Sequence, residues 1–248
     1  MVPSNPTFPH LPISRVAIPS TPLTNAALAY SRKLTSPSTV NHCLRSVAFA
    51  LILARKLPPY ASADPETLTL AVLMHDLGWA QDASKSLLST DKRFEVDGAN
   101  LARDFIGNAE IANHASGWDE HRLQLVWDAI ALHTTPSIAA HKQPVVALVS
   151  LGVLADFTGP NHPTGTISVD EYKEVVATFP RLDFREELPK ILCGLCVDKP
   201  QTTYDNFVGD FGLAGLQGAE LETFKAGKEK NGTAALLLGG LQACEQYE

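Results

Sequence analysis

With 248 residues, 45% of them hydrophobic and 19% charged, the chain has the balance of a folded globular protein and not of a long disordered one. Its formal charge of −7, with no cluster of Lys and Arg to override it locally, counts against nucleic acid as a partner. The four cysteines, Cys43, Cys193, Cys196 and Cys244, are too few and too scattered for a disulfide framework, and Cys193 and Cys196 read as two thiols on one helix, since no second such pair completes a zinc knuckle.

Proline and polar residues dominate the first 22 positions, so residues 1–23 are expected to form an extended arm. That stretch has no apolar core of signal-peptide length and no segment is expected to reach transmembrane length, which gives the expectation of a soluble cytoplasmic protein with no membrane partner. From about residue 24 the hydrophobic period is helical and sustained alternation is absent, so the fold class is all-α, with a single domain over 24–248. The clearest helix is "SPSTVNHCLRSVAFALILARKLPP", with Ser or Thr as N-cap and Pro58-Pro59 as stop. Val40, Leu44, Val47, Leu51 and Ala54 make one stripe, while Phe49 and Leu53 lie on another side, so the helix should be buried on more than one face. A second helix is predicted to begin at Asp64-Pro65, where aspartate caps and proline suits the first turn, and to run through "ETLTLAVLMHD". Further helices are expected over about 92–107, 119–134, 142–157, 168–178 and 184–197, with "TGPNHPTG" at 158–165 as a loop.

Three apolar helical segments deliver polar side chains. His42 shares a helix face with Arg45, Ser46 and Phe49, which reads as a pocket wall; His75 and Asp76 end the second apolar run; Asp156 ends "VVALVSLGVLAD". A carboxylate buried there without a partner would cost roughly several kcal/mol, so it requires a cation. Each of the four alone is more simply a hydrogen-bonded core residue or one half of an ion pair. Together, two histidines and two aspartates form a mixed nitrogen and oxygen set suited to a divalent transition metal.

The order His42, then His75-Asp76, then Asp156 resembles the H…HD…D signature of the HD-domain superfamily over roughly residues 30–160. The resemblance implies an all-helical fold that brings His42, His75, Asp76 and Asp156 onto one metal, taken as Zn2+ with Fe2+ or Mn2+ as alternatives. Within the superfamily, "NHCLRS", "HDLGWA", "KRFEVDGANLARDF" at 92–105 and "VWDAIALHTTPSIAAHKQP" at 126–144 are most similar to cyanamide hydratases and their relatives. Many phosphohydrolase members read HD-x-G-K, and Trp79 stands here in place of the lysine.

The implied chemistry is addition of water to a small C≡N group, giving urea from cyanamide. Asp76 would ligate the metal and contact its water, and His133 would place or supply a proton. Phe49, Trp79, Glu95 and Thr134 are the expected substrate contacts. Structural readings stand beside these: His133 as core, Asp91 as a helix cap, Phe94 as core, Gly98 for a close helix crossing, Thr134 as a helix-ending residue. Arg45, one turn from His42, either steadies an acidic group near the site or is a surface cation. His10, His114, His121, His141 and His162 sit in polar or loop-like contexts, with a role for His141 behind the metal or at a second one left open. The alternatives to a hydratase are an HD-type phosphohydrolase acting on a nucleotide or small phosphate ester, and a metal-stabilised binding protein without turnover. A small-molecule substrate is the expected partner, with self-association open.

Overall fold

The computed structural model describes residues 8–108 and 117–247, and within them the chain is all-α. The packing divides it into two compact units, one of residues up to 88 with 94–182, the other of 89–93 with 183–248. The helices after 183 gather around a small core of their own.

In the first unit, residues 8–21 are non-helical and held by a bridge between Leu11 and Val16. Leu11, Val16 and Ile18 are buried, and the Glu174 carboxylate accepts from the Ile13 and Ser14 amides and the Ser14 hydroxyl, so the arm is pinned at both its apolar and its polar groups. Helix α1 spans Pro22–Leu34, α2 Pro37–Lys56 and α3 Pro65–Met74. Ser36 and Asp64 cap α2 and α3 by accepting from the amides of Thr39 and Thr67, and Pro37 and Pro65 open the first turns. Helices α4 (Phe94–Gly107), α5 (Glu120–Leu132, capped by Asp119), the short α6 (Pro136–Ala139), α7 (Pro144–Thr158) and α8 (Val169–Thr178, with a Ser168/Glu171 capping box) complete the unit.

Pro144–Asn161 is by length and composition apolar enough to cross a membrane, against the expectation that no segment is. Here it is core: α7 packs on α2, α3 and α5, burying Val145, Val146, Leu148, Val149 and Ala155. The α2–α7 crossing is the most extensive helix contact, and it is close because residue 152 is glycine. A Cβ there would stand 2.6 Å from the Ala50 Cβ and 2.8 Å from the Ser46 carbonyl oxygen. One turn beyond Gly152, α7 presents Asp156 to α2.

The second unit contains α9 (Phe184–Asp198), α10 (Phe207–Gly215), α11 (Gly218–Asn231) and α12 (Thr233–Cys244). Phe184, Leu192, Leu195, Cys196, Val208, Leu216 and Phe224 are its buried apolar side chains, with Lys199 and Thr203 buried beside them. Cys193 and Cys196 both lie on α9 and donate to the carbonyls of Phe211 and Val208, so the pair is structural, as two thiols on a helix should be. Leu236, Leu237, Leu238 and Leu241 of α12 are exposed.

Candidate metal centre

Helix α2 contributes His42 and Arg45 to one face, α3 ends so that His75 and Asp76 follow it directly, and His133 follows the last residue of α5. All five are buried, although each is polar or ionisable. Such burial is tolerable only if their hydrogen-bonding capacity is met or a ligand meets it.

The imidazoles are oriented from behind. His75 Nδ1 lies 2.7 Å from the Val72 carbonyl oxygen and His133 Nδ1 2.7 Å from that of Ile130, while His42 Nδ1 lies 2.7 Å from Asp156 Oδ2. Each of these partners can only accept, so each Nδ1 carries the hydrogen and each Nε2 presents a lone pair. The Nε2 atoms of His42 and His75 are 3.3 Å apart, and Asp76 Oδ2 lies 3.6 Å from the first and 3.0 Å from the second. His133 Nε2 stands 3.8 Å from Asp76 Oδ1, with its ring edge-on to that of His75. Neither oxygen of Asp76 has a hydrogen-bond partner.

Acceptors thus converge where donors are missing. Ligand atoms about 2.0–2.2 Å from one ion stand about 3.0–3.4 Å from each other, and the His42, His75 and Asp76 triangle has that size. These three form the group among the described residues whose donor atoms lie within 4.8 Å of one another. The set fits a divalent cation, and nitrogen with carboxylate suits a transition metal. Burial raises the Asp76 carboxyl, but the facing imidazoles of His75, His42 and His133 outweigh it and hold the group below the usual carboxylate range. Burial lowers His75, yet the Asp76 charge and Cys43 pull it well above an ordinary histidine. His133 is driven by burial down to about 4, so its imidazole is neutral near pH 7.

The fourth expected ligand stands elsewhere. Asp156 lies on the Nδ1 side of His42, opposite the Nε2 triangle, and the Arg45 guanidinium donates to both of its oxygens at 2.7 and 2.8 Å. Burial pushes the Asp156 carboxyl up, and His42 with Arg45 overcome this to hold it well below the usual range. Arg45 is fully buried, which removes the surface-cation reading and leaves the other, a cation steadying an acidic group.

The expected substrate contacts divide. Trp79 follows Asp76 through a single 3-10 turn, packs its ring 5.5 Å from Phe94, and keeps a buried Nε1 without a hydrogen-bond partner. Phe94 in turn sits edge-on to His133 at 5.8 Å. Glu95 is buried and accepts from the Thr134 hydroxyl at 2.6 Å, so Thr134 spends its hydrogen on Glu95 and not on a substrate. Phe49 is a correction. Two turns further along α2 than His42, it is fully buried and stacked on Tyr172 at 6.1 Å, a core position away from the triangle. Gly98 allows the close crossing expected of it, and Gly78 allows a closer one: a Cβ at 78 would fall 2.0 Å from the Phe94 carbonyl oxygen. Asp91 pairs its carboxylate with neighbouring Lys92. His10, His121 and His141 are exposed, His162 is buried with Nδ1 on Thr164, and His114 lies outside the described residues.

Three residues near the site were not anticipated. Phe157 places its half-exposed ring 5.3 Å from that of His42, Arg181 reaches Asp156, and Tyr172 accepts from Arg181. Their only sequence signal was proximity to Asp156, and for Arg181 and Tyr172 the proximity is spatial.

Residues 39–172 match the family described as HD domain. Cyanamide hydratase DDI2 and cyanamide hydratase DDI3 of Saccharomyces cerevisiae are each 26% identical to the chain over 152 residues, covering 61% of this chain and 62% of theirs.

Proposed function

The chain belongs to the HD-domain family, and from that premise we propose that it is a metal-dependent hydratase that adds water to cyanamide or to a closely related small nitrile-like compound. The observation that carries the reading is the convergence of His42 Nε2, His75 Nε2 and an unpartnered Asp76 carboxylate beside a neutral His133. The partial similarity to two cyanamide hydratases supports the substrate class.

A divalent metal, zinc in our reading, supplies Lewis acidity that brings the pKa of water down toward about 7. His42, His75 and Asp76 would hold it. His133 works on the proton. With Nδ1 fixed on the Ile130 carbonyl and Nε2 bare, it accepts before it can donate, so it takes a proton from the adding water and returns it to the nitrogen as the C≡N bond opens. Water and cyanamide then give isourea, which tautomerises to urea with all atoms accounted for. Asp76 Oδ1, facing His133 Nε2, orients the water's remaining O–H. The unpartnered Trp79 N–H serves an acceptor on the substrate, while Glu95, steadied by Thr134, faces its amine. Trp79 and Phe94 also exclude bulk water, which strengthens each polar contact.

The test is a product assay of metal-loaded protein against cyanamide, small nitriles and phosphate esters in parallel. Urea from cyanamide is expected, and His133→Ala should cut turnover about 10²- to 10⁴-fold at unchanged metal content. Phosphate release without urea would overturn the hydratase and leave the metal centre standing; Trp79 in the lysine position, and an Arg45 already committed to Asp156, argue against that outcome.

A further inference from the structure

Two arginines directed at one buried aspartate exceed what metal ligation needs. Asp156 Oδ1 accepts from Arg45 Nε at 2.7 Å and stands 3.2 Å from Arg181 Nη2. Oδ2 accepts from Arg45 Nη2 at 2.8 Å and from His42 Nδ1 at 2.7 Å. An ionised carboxylate offers about four lone-pair positions, and these donors occupy them. Arg45 is fixed in turn, because its Nη1 donates to the carbonyls of Phe179 and Pro180 at 3.1 and 3.2 Å. Arg181 Nη2 also donates to the backbone carbonyl of Asp156.

We infer that Asp156 is a positioning carboxylate and not a fourth ligand, and that Arg45 is the positioning residue that keeps it so. The inference rests on His42, His75 and Asp76 being the ligands, and not on cyanamide being the substrate. The two ring nitrogens of His42 face opposite ways, so a carboxylate hydrogen-bonded to Nδ1 cannot also reach an ion held at Nε2. Moving it there would strand the fully buried Arg45 charge. In its observed place Asp156 fixes the His42 tautomer and raises the electron density of Nε2, as carboxylates behind metal-bound histidines do. Among the described residues three protein donors would then hold the ion, the number found in catalytic and not in structural zinc sites. Arg45 therefore influences a metal that it never touches.

The experiment uses the full chain stripped of metal, titrated with Zn2+ against a chromophoric chelator and, separately, loaded with Co2+ for its absorption spectrum. Asp156→Asn should bind Zn2+ about 10- to 100-fold more weakly and keep the Co2+ spectrum of the parent protein, while His75→Ala should lose binding. Arg45→Met should weaken Zn2+ binding in the same direction, and the double variant should be no weaker than the worse single one. The inference is overturned if Asp156→Asn loses binding as His75→Ala does, if it shifts the Co2+ bands, or if Arg45→Met binds Zn2+ equally or more tightly. Should Asp156→Asn not fold by circular dichroism, Arg45→Met decides alone by the same criterion. A parent protein that binds neither ion would overturn the ligand assignment and this inference with it, whereas a metal-bound parent inactive on cyanamide touches only the substrate reading.

Discussion

Asp76 and Asp156 are two buried carboxylates at the ends of two apolar helical runs, both held below the usual carboxylate range, yet they occupy opposite electrostatic surroundings. Around Asp76 stand three imidazoles, and neither of its oxygens has a hydrogen-bond partner; around Asp156 stand a bidentate arginine, a second arginine and an imidazole N–H. One carboxylate is held by imidazoles alone, the other by two permanent cations as well. A buried acid is thus identified by the donors aimed at it, which lie on other helices, and not by the run of residues that carries it.

The largest effect should come from removing each charge in metal-free protein. Asp156→Ala leaves the Arg45 charge buried without its carboxylate and should destabilise the fold by about 3–5 kcal/mol, whereas Asp76→Asn removes a carboxylate held by imidazoles alone and should cost chelated protein less. Thermal or urea unfolding in excess chelator compares them; equal losses would erase the distinction. Metal should separate them again. At about 100 times its Kd, zinc should add about 2.7 kcal/mol to the parent and almost nothing to Asp76→Asn, seen as a rise in melting temperature that chelator reverses.

A smaller effect tests the helix crossing that brings the Asp156 side together. Gly152→Ala forces a Cβ into the Ala50 Cβ and the Ser46 carbonyl, and should cost about 1–3 kcal/mol. It should also loosen Zn2+ binding, since Asp156 is one turn away; unchanged stability would mean that the crossing gives more easily than its spacing implies. The smallest effect belongs to a third carboxylate, Glu171, paired with the partly exposed Lys56 at 2.6 Å and capped by Ser168. Burial raises this carboxyl, but Lys56 and Ser168 prevail and lower it. A lowered folded pKa contributes stability above the ordinary glutamate value, and the contribution is lost as pH falls through the folded one. Lys56→Met should therefore cost up to about 1 kcal/mol at pH 7, a difference that shrinks toward nothing on acidification to about pH 3. A constant difference across that range would assign the loss to packing.

Much of the frame was legible in the chain. Ser36-Pro37 and Asp64-Pro65 are start signals whose physics is local, and α2 and α3 begin where they stand. His42, His75 and Asp76 were legible as a group, because polar residues delivered by separate apolar segments are harder to explain together than singly. Asp156 was placed on the right helix, but its task depends on Arg45 and Arg181, 111 residues and 25 residues away along the chain. Thr134 and Glu95 were both singled out as substrate contacts; that they hold each other became visible only when α4 and α5 were packed side by side. Phe49 shares the His42 face, but a face two turns long reaches past the site into the core.

The contact at Gly78 limits how this chain can be redesigned. Because the turn that carries Trp79 rests against the backbone of Phe94, the turn after Asp76 and the start of α4 are in direct backbone contact. A side chain added at 78 would push the turn after Asp76 and the start of α4 apart, moving Asp76 and Glu95 together, so the backbone of neither segment can be altered independently of the other. Libraries should vary the side chains at 79, 94 and 95 and leave residue 78 as glycine; insertions in either segment should disturb both.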